Sequence, residues 1–158
     1  MSEPTSEVSE DVVSVSPTPT FEAKEVSPIT AAAPTDTVKD EGLNTEFTLY
    51  SVKVGPVSGI VVTVRARNLN DVPLPVDVLS PTYRYKESGG NNYTEAEVVE
   101  TTSVNNSPVG LDVPLGPQAE VLLQYPYQVS LTTASDAQFT IGNVTFQGDL
   151  TLANSQPY

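Results

Sequence analysis

Glu95 and Glu97 stand two residues apart, a spacing that puts two carboxylates on one face of a strand, where one can give a proton while the other takes one. Glycoside hydrolysis is the reaction such a pair serves. A solvated strand face accounts for the same two residues, and no catalytic residue is assigned. Asn68, Asn70 and Asp71, or Asp112 with loop carbonyls around it, offer oxygen ligands to calcium, yet no stretch has the ligand spacing of a calcium-binding loop. Turn capping is the reading taken for them, and no metal or cofactor is assigned. Lys53 and Asn143 are the residue types that join as an isopeptide, the amine displacing ammonia from the carboxamide beside a buried acid. Lys53 alternates with Val52 and Val54, so a strand there turns it to solvent. Tyr83 and Tyr85 share a face opposite Arg84 and Lys86, and Tyr93 follows across a Gly/Asn loop. Amphipathic rings so placed suit contact with a protein or a glycan, which makes Tyr83, Tyr85 and Tyr93 the candidate binding patch. Asn92, Asn105 and Asn143 each begin an N-x-S/T triplet, a pattern with meaning only in a eukaryotic secretory pathway.

What is absent narrows the chemistry further. The 158 residues include no histidine and no cysteine. Ser/His/Asp and Cys/His triads, the commonest general base, disulfide frameworks, and the usual zinc, copper and non-haem iron ligand sets are therefore excluded. Seven basic against 20 acidic residues give a net charge of -13. Long-range repulsion then opposes a nucleic-acid backbone or an anionic membrane surface, so neither is expected as a partner. No apolar run is long enough to span a bilayer, and the N-terminus lacks the basic and apolar regions of a signal peptide. Met1 is read as standing where an export signal has been removed.

The elements that must position these residues fall in two parts. Residues 1–42 are rich in Ser, Thr, Pro, Val and Glu, with Pro4, Pro17, Pro19, Pro28 and Pro34 spaced so that neither helix nor ladder runs far. Nine acids against Lys24 and Lys39, with Phe21 the one aromatic, leave too little apolar area to offset the entropy of ordering, and a disordered tether is expected. Residues 43–158 are expected to form one all-β domain, because β-branched and aromatic runs there are punctuated by turn residues. In Glu46–Val54, Tyr50, Val52 and Val54 are expected on one face. Ser58–Asn70 is the clearest strand-then-turn signal: Ile60, Val62, Val64 and Ala66 alternate with Val61, Thr63, Arg65 and Arg67, and Asn68–Asp71 caps the exit. Val76–Lys86 carries one or two strands broken at Ser80–Pro81, and Tyr93–Thr102 is read as a strand over a helix. In Ala119–Gln128 the inward set is Val121, Leu123, Tyr125 and Tyr127, while Pro126 demands a sheet edge or an exit from the sheet. A parity switch at Gly142–Asn143, between Phe139, Ile141 and Val144, Phe146, marks a two-residue hairpin or bulge, with Leu150 and Leu152 continuing the apolar side. Seven to nine strands of this length make a two-sheet immunoglobulin-like antiparallel sandwich, with a jelly roll or partly open barrel second. Within it Ile60, Val62, Val64 and Ala66 are expected to pack against Val121, Leu123 and Tyr125 from the other sheet.

The order of a first strand, then GIVVTVRARNLNDVPLPVDV, then a Tyr-rich strand into a Gly/Asn loop, then LGPQAEVLLQYPY, resembles a family of small secreted immunoglobulin-like domains of actinobacteria and other Gram-positive bacteria. That family includes the mycobacterial immunoprotective extracellular proteins and a domain of unknown function in exported lipoproteins. The densest likeness is Val62 to Asn68, which matches a VTVxVxN run, and the likeness covers about Thr45 to Leu152. It implies an exported, non-enzymatic module, and it carries no functional residue over. The expectation is thus a monomeric extracellular or cell-envelope binding or structural module with a protein or glycan partner, held off the surface by its tether. The alternative is a structural assembly subunit, of phage or pilus type, that self-associates through sheet edges.

Overall fold

The computed structural model describes residues 20–56, 59–86, 90–104 and 106–155. Eleven strands occur among them: β1 (Ile29–Thr30), β2 (Thr37–Asp40), β3 (Thr45–Val54), β4 (Ile60–Asn68), β5 (Thr82–Lys86), β6 (Tyr93–Glu95), β7 (Ser103–Val104), β8 (Ser107–Pro108), β9 (Glu120–Tyr127), β10 (Ala137–Ile141) and β11 (Val144–Gly148). Nine of these form two sheets, ordered β1-β11-β10-β5-β6 and β2-β3-β4-β9, while β7 and β8 pair as a separate ribbon. The sheets face each other across rings from both: Tyr83 of β5 stacks on Tyr127 of β9 with centroids 5.4 Å apart, and Phe139 of β10 meets Tyr125 at 6.0 Å. The protein is an all-β sandwich, as the spacing of apolar runs requires. One pairing departs from the antiparallel expectation, because β1 runs parallel to β11, Ile29 opposite Val144.

β4 is the inner strand that the sequence marks most clearly. Its β-branched residues suit a pleated, buried surface, and Ile60, Val62, Val64 and Ala66 are fully enclosed. Val121, Leu123 and Tyr125 are their neighbours within the same sheet, Val62 opposite Tyr125 and Val64 opposite Leu123, and not the facing layer. The two segments share one core because register places both apolar sets on the same side. The facing layer comes instead from Tyr83, Phe139, Ile141 and Phe146. β9 lies at the margin of its sheet, and the Pro126 carbonyl accepts the Val99 N–H at 3.1 Å on the outer side. The proline nitrogen points the same way, so its missing N–H breaks no ladder bond.

Two strand assignments change with the third dimension. In β3 the register with β4 slips between Leu49 and Ser51, a bulge that absorbs Tyr50. Phe47, Leu49 and Val52 therefore point inward, Tyr50 turns outward with the Arg65 guanidinium 5.6 Å from its ring centre, and Val54 is 67% exposed. A strict two-residue period cannot see this extra residue. Beyond β6 the chain changes sheet: Ala96 still donates to Tyr83, while Val99 and Gln128 bond with Pro126 and Glu97 along the edge of β9. The expected strand over Tyr93–Thr102 is thus two short pairings to different sheets. The Gly142–Asn143 switch is a two-residue hairpin, with Ile141 opposite Val144 and Gly142 at φ +58°. Leu150 is buried, whereas Leu152 is half exposed.

The tether expected over 1–42 needs correction. Residues 1–19 lie outside the described part, but from Thr20 onward the chain belongs to the sandwich. Phe21 packs on the core, Ala31 is buried, β1 joins one sheet and β2 the other. Composition misjudged this stretch because main-chain pairing, rather than apolar area, holds it: Lys24 N–H donates to Gly42, Ile29 to Asn143 and Ala31 to Thr145, each at 2.9 Å.

Candidate functional site

The three tyrosines of the expected patch do not come together. Tyr83 is a core residue, fully buried against Tyr127, with its hydroxyl 2.9 Å from that of Thr133. Burial raises its pKa above the ordinary tyrosine value. Tyr85 points to the same inner side and packs half-buried at the margin of the core. Tyr93 stands opposite Lys86 in register and so occupies the outer face, where its hydroxyl donates to Asp136 at 2.9 Å. Alternation along β5 explains the split: residues sharing a face with Tyr83 face the core, and those beside Lys86 face solvent.

The other candidates are likewise absorbed by the fold. Glu95 ion-pairs with Arg84 at 3.7 Å, and Glu97 lies past the end of β6, where its carbonyl accepts from Gln128. Asn68 is fully buried; its amide donates to the carbonyls of Val72, Leu115 and Gly116 at 2.9–3.1 Å, and its oxygen accepts from Asn70. That oxygen is occupied, so Asn68 and Asn70 work as a brace joining two loops, while Asp112 is exposed on the connection leading to β9. Lys53 is exposed near one end of β3, and Asn143 contacts Asp40, which pairs with Thr45 at the other end. Eight residues of strand separate the two positions, roughly 27 Å, which rules out the isopeptide. Asn105 lies outside the described residues.

Two arrangements were missed at the sequence level. The first is Asp40, fully buried at the end of β2. Its Oδ1 accepts from the N–H groups of Gly42 at 2.9 Å and Leu43 at 3.1 Å and from the Asn143 side-chain amide at 3.0 Å, and its Oδ2 accepts from the Asn143 N–H at 2.8 Å. One carboxylate thus ties the β2–β3 turn of one sheet to the β10–β11 turn of the other. The Asp-x-Gly of Asp40–Gly42 is the local signal of such a turn, and the acidic surroundings hid it.

The second is the outer face of the five-stranded sheet. Register aligns Thr30, Thr145, Thr140 and Thr82 in one rank across four strands, with the Thr140 and Thr145 hydroxyls 2.9 Å apart. The next rank sets Gln147, Gln138, Arg84 and Glu95 side by side, and Gln138 donates to Gln147 at 3.0 Å. Lys86 and Tyr93 close the face; the Lys86 amine lies 3.2 Å from Asp136 and 5.1 Å from the Tyr93 ring centre. The Tyr93 hydrogen bond, with Lys86 beside it, holds the Asp136 carboxyl below its usual range, and desolvation together with Asp136 raises Tyr93. Alternation in five short stretches encodes this face, but pairing order decides that they lie side by side.

A smaller apolar recess of about 270 Å³ sits on the other sheet, where the chain around Val99 and Val104 arches over Val61 and Pro126. Glu100, Thr101 and Ser103 are the polar residues of its lining, and hydrogen bonding is the chemistry the outer face offers. Comparison with family models, characterised proteins and solved structures returns no match for this chain.

Proposed function

We propose that this chain is a non-enzymatic binding or structural module of the extracellular space or cell envelope, working as a monomer, with the outer face of the five-stranded sheet turned to its partner. The observation that carries the reading is the division of labour among polar side chains. Buried Asp40 and Asn68 are spent on joining loops, whereas the threonine and glutamine ranks lie on the outer face and outside the core, Thr82, Thr140, Thr145 and Gln138 half-buried and Thr30 and Gln147 exposed. The absence of histidine and cysteine supports a module without turnover, and the net charge of -13 speaks against nucleic acid. The resemblance to secreted immunoglobulin-like domains supports the location. In this reading the acidic, proline-punctuated sequence before Thr20 serves as the tether.

Self-association through sheet edges is the other reading. Against it, the edge strands β1, β6 and β2 have two, three and four residues, and the edge of β9 is bonded by Val99 and Gly110. Beyond β2, the Asn154 carboxamide accepts from Val52 N–H and donates to Val52 C=O, each at 2.8 Å, and so takes the place of a neighbouring strand on β3. Co-sedimentation of the full chain with isolated cell envelopes of its own organism tests the proposal. Retention that falls when Gln138 and Thr140 are replaced by Lys supports it; no retention, or retention indifferent to both changes, overturns it.

A further inference from the structure

We propose that the outer face of the five-stranded sheet recognises an uncharged glycan chain, an inference that rests on the binding-module reading and names its ligand class. The strands that carry the threonine rank lie about 4.8 Å apart, and the glutamine rank follows about 7 Å along them. The result is a flat grid of small hydrogen-bonding groups. Two pairs are already held together yet keep capacity: the Thr140–Thr145 pair retains one free O–H, and the Gln138–Gln147 pair retains three N–H groups. Such groups are preorganised, so a ligand rich in hydroxyls meets donors and acceptors that lose little freedom on binding.

Charge and apolarity select the class. Among the described residues, the four charges of the face neutralise one another in two pairs, Arg84 with Glu95 and Lys86 with Asp136, although the chain as a whole is strongly acidic. Among the described residues of the face, an anionic ligand meets no free cation, with a repulsive molecule behind it, and a cationic one meets no free carboxylate. A protein partner needs an apolar, aromatic-rich centre to its interface. The exposed large apolar residues, among them Val54, Val98 and Leu122, all lie away from the outward positions of β5, β10 and β11. A neutral polyhydroxylated chain matches what remains, with the Tyr93 ring at the margin, fixed by Asp136, as an edge for sugar C–H groups.

Affinity electrophoresis of the full chain through gels holding a soluble β-glucan, a mannan, an arabinogalactan or dextran is the direct test, with heparin as the charged control. Retardation by at least one uncharged polysaccharide is expected, weakened about fivefold in Thr140→Val and again in Gln138→Ala, for the loss of one hydrogen-bonding group each. Leu122→Ala, on the other sheet, is expected to leave it unchanged, and thermal melts confirm that each variant is folded. Failure of every uncharged polysaccharide to retard the chain, or indifference to both face variants, overturns the proposal. Envelope co-sedimentation separates the two levels. Retention abolished by periodate oxidation of the envelopes supports the glycan; retention abolished by protease and untouched by periodate sinks the glycan and keeps the module; no retention on untreated envelopes removes both.

Discussion

Replacing Asp40 is the sharpest probe of how this sandwich is closed. Its carboxylate accepts four donors, three from main-chain N–H groups and one from a side-chain amide, at 2.8–3.1 Å with no exposure to solvent. Asp40→Ala orphans all four, and an unsatisfied buried donor costs about 1–3 kcal/mol. Turn relaxation and entering water reduce the sum, and the expected loss is about 3–5 kcal/mol, comparable to breaking a buried charged cluster. Asp40→Asn keeps one acceptor oxygen for the three donors at Oδ1 but turns an NH₂ toward the Asn143 N–H, so about 1–3 kcal/mol is expected. Denaturant unfolding measures both as midpoint shifts at constant slope. Gly142 gives an independent reading of the same joint, because at φ +58° an added Cβ would collide with Asp40 Oδ2. If Asp40→Ala costs under about 1 kcal/mol, or as little as Asp40→Asn, the carboxylate does not hold the two turns together and the argument fails.

Three further outcomes are expected. A chain beginning at residue 43 loses β1, β2, Phe21 and Asp40 and should fail to give a cooperative melt, whereas one beginning at Thr20 should melt like the whole chain; equal melts of the two would restore the longer tether. Burial raises the pKa of Tyr83, Tyr125 and Tyr127, so the unfolded chain releases their protons first as pH climbs past about 10. Stability is then full below that pH and falls above it, by up to about 1.4 kcal/mol per pH unit for each ring. Tyrosinate absorbance, free of tryptophan here, should rise in step with unfolding, and full ionisation of all seven tyrosines in a still-folded chain would contradict it. Asn154→Ala removes both bonds to Val52, at a cost of about 1–2 kcal/mol, and opens the β3 edge. Sedimentation should show concentration-dependent association, and a strictly monomeric variant of unchanged stability would show that the carboxamide guards nothing.

Much of the fold is legible in the chain because strands with one buried face must alternate. Ile60 to Ala66, Leu123 to Tyr127 and Phe139 to Phe146 carry their inward sets on the surface of the text, and Gly142–Asn143 announces its hairpin through a change of parity. The candidate site was far less legible. Tyr83 looks like a binding residue in the same way that it looks like a core residue, since a buried ring with one hydrogen-bonded hydroxyl and an exposed one share the same neighbours in sequence. Composition over 1–42 averaged a proline-rich stretch with a short hairpin strand, and so concealed Asp40.

By itself the sequence determined the class of structure, the punctuation between strands and the chemistry that is out of reach, because period, turn residues and the absence of histidine and cysteine are local properties. The tertiary structure decided everything that depends on which strands are neighbours. Register placed β4 and β9 in one sheet, a bulge at Tyr50 reversed half a strand, and pairing order assembled the threonine and glutamine ranks from residues up to 115 positions apart, Thr30 to Thr145. Alternation fixes on which side of its own strand a residue lies, while only the packing of the whole chain sets what lies beside it.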